Sequence, residues 1–159
     1  FRDSWTAQNR RWFLRAFAEL AEQHNLREED PTAFIRGCLS DAQSLTDRDR
    51  SALRRELRSL DAGSHLDSVL KPDEVAIAWE VAGQFKEAAS AYQELADQSG
   101  GTDRAVHLEN ALRMRCAQRE YHATRSESEK AGQLDRQIER LRAALEVTRR
   151  EAGNLRVAE

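Results

Sequence analysis

PDEVAIAWEVAGQFKEAASAYQELA, residues 72–96, is the stretch that decides the fold of this chain. Apolar residues recur at helical spacing on both sides of Gly83, which predicts one helix over about residues 73–82 and a second over 85–97. Glycine readily adopts the positive φ of a tight turn, so Gly83 is predicted to fold the two helices back against each other. The stretch therefore predicts an antiparallel helical hairpin.

Small and bulky residues recur in this hairpin at three- and four-residue spacing. Ala76 precedes Trp79 in the first helix, and Ala88 and Tyr92 supply an A-x3-F pattern in the second. On these residues the segment 72–100 resembles one tetratricopeptide repeat (TPR), although Pro72 replaces the first bulky residue of that family. The resemblance implies packing roles for six residues: Ala76, Trp79, Gly83, Phe85, Ala88 and Tyr92.

A degenerate second unit is expected over about residues 118–150. The run GQL at 132–134 repeats the spacing of GQF at 83–85, but Gln137 stands where a small alanine would be. The separation of the two runs also exceeds the period of about 34 residues that TPR proteins use. The array is therefore expected to be irregular, with one clear unit, one degenerate unit and a divergent helical region before them.

Composition favours the same class of fold. Only 2 of the 159 residues are proline and 7 are glycine, which is too few for the many turns of a β-sandwich or barrel. Hydrophobic residues make up 40% and charged residues 33%, which suits thin helical layers that bury one stripe each. We expect an all-α protein of antiparallel hairpins, stacked as a TPR-like α-solenoid segment of about seven helices.

Three divisions of the chain are predicted. Residues 1–62 form a divergent N-terminal region of three helices, over about residues 4–24, 31–44 and 46–62. Thr46 and Asp49 form a capping box at the start of the third helix, and Gly63 is its C′ residue. Residues 63–72 form a linker in which Leu66, Val69 and Leu70 make one helical turn. Residues 73–159 form the TPR-like hairpins and end in a long helix with a heptad pattern.

The first and last predicted helices each carry an apolar stripe that something must cover. In the first helix the stripe is aromatic and includes Trp5, Trp12, Phe13 and Phe17; it either packs within the domain or docks on a neighbouring domain. In the last helix the stripe is a heptad seam of Leu134, Ile138, Leu141, Leu145, Thr148, Ala152 and Leu155. This seam either pairs with a second copy of the chain or packs against the preceding helix.

We favour internal packing of the heptad seam. The preceding helix, capped by Thr102 or Asp103, offers an apolar surface formed by Leu108, Leu112 and Cys116. A polar turn near Gly132 would let the last helix fold back onto it. Whether residues 120–131 form helix or loop stays open at this point.

No catalytic constellation stands out in the sequence. The four histidines are scattered, and none lies in an HExxH or HxH motif. Cys38 and Cys116 lie on apolar helical faces and resemble small buried hydrophobic residues. We therefore expect no enzyme activity, no cofactor and no metal.

Charge and hydropathy argue against nucleic acid and membrane as partners. The net charge is −3 at pH 7, so the chain as a whole lacks the basic footprint of a nucleic-acid-binding protein. The arginines from Arg48 to Arg58 alternate with acidic residues, which is typical of a solvated helical face, although a nucleic-acid-binding helix remains an alternative. A signal-peptide pattern and a long apolar run are both missing from the sequence, which predicts a cytoplasmic protein without a membrane span.

The TPR resemblance implies a protein–protein interaction segment, a scaffold or adaptor. Because the chain begins at Phe1, we expect it to be part of a larger multidomain protein. Its partner would be a protein, a peptide or a neighbouring domain, and Arg104 and Arg113 are available to hold carboxylates. One alternative is an oligomerisation module that forms a homodimer through the last helix. The other is a regulatory domain attached to an enzyme or DNA-binding domain.

Overall fold

The computed structural model describes residues 12, 14–16 and 31–157. The described part is all-helical, which confirms the predicted fold class at that level; the predicted stripe on residues 4–24 lies almost entirely outside it. Residues 31–157 form seven α-helices and one 3-10 turn. They are α1 (Pro31–Ser40), the 3-10 turn Ala42–Ser44, α2 (Asp47–Ala62), α3 (Leu66–Val69), α4 (Pro72–Val81), α5 (Phe85–Asp97), α6 (Gly101–Thr124) and α7 (Ser128–Val157).

The predicted capping box at the start of α2 is confirmed. The Asp49 backbone N–H donates to Thr46 Oγ1 at 3.2 Å, and the Thr46 backbone N–H donates to Asp49 Oδ2 at 3.0 Å. Arg15 reaches the same group, because its Nε donates to Asp49 Oδ1 at 2.9 Å. Burial alone would raise the pKa of Asp49, but the hydrogen bonds from Thr46 and Arg15 outweigh it and hold this pKa below its usual value.

Three helices end in the same way, with a left-handed residue that closes a Schellman motif. After α4 that residue is Gly83, with φ 74°; its N–H donates to Glu80 O, and the next N–H donates to Trp79 O, each at 2.9 Å. The predicted tight turn is therefore present. The prediction for α2 is wrong by one residue, since Gly63 has φ −84° and the left-handed residue is Ser64, with φ 56°.

The third of these motifs corrects the position of the last turn. Ser126 has φ 59°, and the N–H of the next residue donates to His122 O at 3.0 Å, so α6 and α7 are separated only by residues 125–127. Gly132 lies within α7, and the predicted turn near it is wrong, because an isolated glycine is tolerated inside a helix. The cap of α6 is Gly100 rather than Thr102 or Asp103.

The N-terminal helices cover one side of the α4–α5 hairpin. Ile35, Leu53 and Leu57 are the largest fully buried side chains in the described core. The predicted helical turn is present as α3, and it buries Leu66 in the same cluster. Arg58 on α2 also donates to the Gln84 side chain at 2.9 Å, which ties α2 to the turn between α4 and α5.

Helices α4 to α7 pack in chain order, each mainly against the helices next to it in sequence. Small side chains line the contacts of α4, α5 and α6, where the buried alanines are Ala76, Ala78, Ala82, Ala88, Ala89, Ala96 and Ala111. Small residues at a contact let helix axes approach closely. These alanines therefore let α4, α5 and α6 pack closely.

The heptad seam lies against α6, as the favoured prediction required. Its members from Leu134 to Thr148 are buried, whereas Leu155 is 68% exposed. On α6 the buried residues are Leu108, Ala111 and Met114. Cys116, which we predicted to be part of this surface, is only half-buried.

Candidate functional site

Five of the six residues with implied packing roles are buried or partly buried in the hairpin, and the sixth, Gly83, is exposed at the turn. Ala76 and Ala88 are fully buried, Trp79 and Tyr92 are 5% exposed, and Phe85 is partly buried against the same cluster. These five side chains pack within the fold and are largely inaccessible to a partner, whereas Gly83 closes the turn at the surface. A binding surface must therefore lie on other residues of these helices.

A polar network joins α4, α5 and α6. The Tyr92 hydroxyl donates to Glu80 Oε2 at 2.6 Å, and Arg113 Nη1 donates to Glu80 Oε1. Burial and the bond to Glu80 raise the pKa of Tyr92, so its hydroxyl keeps its proton and remains a donor. The Arg113 side chain is still 55% exposed. Arg113 therefore already holds one carboxylate, that of Glu80, and the rest of its guanidinium remains exposed to solvent.

Exposed aliphatic side chains lie on the same sides of α4 and α6 as this network. Ile77 is 41% exposed and precedes Glu80 by about one helical turn, and Val106 is 50% exposed and precedes Arg113 by about two. Because Glu80 and Arg113 touch, the two strips adjoin. We call this surface, made of Ile77, Glu80, Val106, Asn110 and Arg113, the α4–α6 face.

Ile77 and Val106 were not among the residues predicted from the sequence to bind a partner. Both are apolar residues that fall out of phase with the buried positions of their own helices, where Ala76, Ala78 and Leu108 are buried. An apolar residue on the wet side of an amphipathic helix is a signal that could have found them.

Arg104 does not join the α4–α6 face. It lies nine residues before Arg113 on α6, which corresponds to opposite sides of a helix at about 3.6 residues per turn. Arg104 is half-buried, and its Nε has no hydrogen-bond partner among the described residues. Arg115 is also half-buried, and burial lowers its pKa. Arg104 and Arg113, which were predicted together as partner-binding residues, therefore lie on opposite sides of α6.

A cleft of about 180 Å³ opens on another side of α4. Its floor is apolar, and its rim carries two exposed carboxylates, Asp67 on α3 and Glu94 on α5. The remaining lining residues are Pro72, Val75, Ala91, Leu95 and Gln98. We call this feature the acidic cleft.

Two side chains of the types that often carry catalysis, Cys38 and His122, are buried or hydrogen-bonded. Burial, followed by the nearby carboxylates of Asp49 and Asp41, raises the pKa of the Cys38 thiol to about 11, so the reactive thiolate is scarce at neutral pH. His122 Nδ1 is bonded to Glu127 Oε2 at the α6–α7 turn. In the same residues, no three His, Cys, Asp or Glu side chains come together in a way that could hold a metal ion.

Comparison with protein families, curated proteins and solved structures gives no match to this chain. Over the helices that the structure describes, none combines the length and the apolar character needed to cross a membrane.

Proposed function

We propose that this chain is a protein–protein interaction segment, a scaffold or adaptor within a larger protein, and that the α4–α6 face receives the partner. The observation that carries the proposal is the position of exposed aliphatic side chains, Ile77 and Val106, beside the half-exposed guanidinium of Arg113. The TPR resemblance of residues 72–100 supports the same class of function, because stacked hairpins present extended binding surfaces.

The chemistry of this face suits a peptide or helix that is apolar in part and carries a carboxylate. Ile77 and Val106 would pack against apolar side chains of the partner, as in helix-in-groove recognition. Arg113 can donate its free N–H groups to a carboxylate, because the guanidinium has five donors and Glu80 and Asn110 use only part of them. The partner could equally be a neighbouring domain of the same polypeptide.

Panning a random peptide-display library on the purified chain tests the proposal. We expect enriched peptides that combine aliphatic and acidic residues, and we expect their binding to be lost in the double variant Ile77→Asp/Arg113→Glu. Val147→Asp is the matched control, because Val147 is a 53% exposed aliphatic residue on α7 and is not part of this face. Enrichment that fails altogether, or peptides that bind the double variant as well as the wild type, would refute the proposal.

A second candidate function is self-association through the end of α7. Most of the heptad seam is buried against α6, but Leu155 is 68% exposed and Val157 is 88% exposed. These two residues leave an apolar tip that a second copy could cover. Light scattering after size exclusion tests this function: a dimer that becomes a monomer in Leu155→Asp would support it, and a monomeric wild type would exclude it.

A further inference from the structure

The acidic cleft lies apart from the α4–α6 face. Val75 lines the cleft and Ile77 lies on the face; two residues apart on α4, they point to nearly opposite sides of the helix. A partner that binds the α4–α6 face can therefore leave the acidic cleft empty. The cleft is therefore a second surface whose chemistry can be considered separately.

The size of the cleft restricts what it can hold. Pockets for small-molecule ligands are usually about 300–1,000 Å³, whereas a cavity of about 150 Å³ accommodates one benzene ring. At about 180 Å³, the acidic cleft has room for a single side chain. Its apolar floor, which includes Val75 and Leu95, would cover the aliphatic stem of such a side chain.

The charge of the acidic cleft determines whether it favours a cationic or an anionic group. Asp67 and Glu94 form no ion pair with another described residue, and Glu87 lies two turns before Glu94 on the same side of α5. Against these carboxylates stands Lys71, the cation that immediately precedes the lining residue Pro72. The start of α4 and the end of α5 both border the cleft, so the opposite partial charges of these two helix ends offset each other. The carboxylates therefore give the cleft its negative potential.

We infer that the acidic cleft receives one basic side chain, arginine or lysine, from a protein partner. The stem would lie on the apolar floor, and the charged head would reach the carboxylates of Asp67 and Glu94. This inference rests on the proposed function and adds a specificity to it: a partner that carries a basic residue at one position of the bound segment.

A titration with single-residue probes tests this directly. N-acetyl-arginine methylamide is added to the ¹⁵N-labelled chain, and the backbone amide signals of Val75, Ala91 and Leu95 are followed by NMR. The citrulline counterpart, which has the same shape without the charge, serves as the neutral probe. We expect the arginine probe to shift these signals and the citrulline probe to bind more weakly. The arginine probe should also lose affinity when salt rises from about 50 mM to about 500 mM.

Variants of the rim carboxylates complete the test. Asp67→Asn/Glu94→Gln should weaken the arginine probe by roughly two- to thirtyfold, since each exposed ion pair contributes roughly 0.2–1 kcal/mol. The control Glu129→Gln/Glu151→Gln removes the same charge from exposed positions on α7 and should leave the affinity unchanged.

Three results would overturn the inference: equal binding of the citrulline probe, equal affinity in the rim variant, or signal shifts confined to other surfaces. A wild-type dimer that the rim variant converts to a monomer would also overturn it, by assigning the cleft to a second copy of this chain. Because the peptide panning described above does not depend on Asp67 or Glu94, failure of this inference is distinguishable from failure of the proposed function.

Discussion

Leu141 lies at the centre of the heptad seam, and its replacement by alanine should destabilise the folded chain. Its side chain is 5% exposed and belongs to the core cluster that includes Leu108 and Met114 on α6. Truncating a buried leucine costs about 2–5 kcal/mol through lost burial and the cavity left behind. For a chain of this size, the melting temperature should fall by about 4–20 °C. Leu155→Ala is the matched control, since Leu155 continues the same seam but is 68% exposed and should change stability by less than about 0.5 kcal/mol.

Urea unfolding followed by circular dichroism measures both variants, with light scattering to record their mass. Leu141→Asp extends the series, because an unpaired buried carboxylate should prevent the monomer from folding. A coiled coil between copies predicts a different outcome, in which Leu141→Asp gives a folded monomer and abolishes a dimer. Equal losses in Leu141→Ala and Leu155→Ala, or an unchanged urea midpoint in Leu141→Ala, would refute the reasoning that α6 covers the seam.

Three further changes test local features of the fold. Ala88→Leu should overpack a fully buried contact and cost about 1–3 kcal/mol, whereas Ala143→Leu on the exposed side of α7 should be nearly neutral; equal urea midpoints would contradict this. Gly83→Ala should lower the stability by about 1–2 kcal/mol through the positive φ alone, because an added Cβ meets no atom within 4 Å. Ser126→Gly should instead raise the stability by about 0.5–1 kcal/mol, because it relieves the same left-handed strain. If both variants shift the melting temperature in the same direction, left-handed strain is excluded as the cause. The folded state lowers the pKa of Asp49, so the stabilisation by its charge is present above about pH 4 and is lost as the pH falls through that lower pKa. The urea midpoints of the wild type and of Asp49→Asn should therefore converge in acid. A difference between the two midpoints that stays constant down to about pH 2 would show that the charge of Asp49 contributes nothing to stability.

Local chemistry predicted the features whose cause lies within a few residues. The capping box of Thr46 and Asp49 and the turn at Gly83 each depend on neighbouring atoms, and the sequence contains them in order. The turn at Ser126 was missed for the converse reason: serine adopts the left-handed conformation only occasionally, so its identity does not predict it. Gly132 was the more conspicuous breaker nearby, yet tertiary packing of α7 keeps it in the helix.

The candidate surfaces required contacts that are distant in sequence. Arg113 meets Glu80 across 33 positions, and no periodicity of α6 alone identifies that partner. The acidic cleft takes its rim from α3 and α5, which are adjacent only after the hairpin has closed. The all-helical class was therefore predictable from the sequence, whereas the side chains exposed beside the hairpin depended on which helix lies against which.

The order of packing among α4, α5, α6 and α7 has a consequence for how the chain opens. Most contacts join helices that follow each other in sequence, so little loop-closure entropy is spent in forming them, and folding should be fast for a chain of this length. Among the described helices α7 packs mainly against α6 alone, so opening can begin at α7 and proceed inward. Helices α5 and α6 are covered from both sides, so their amide protons should be the last in this stack to exchange with solvent.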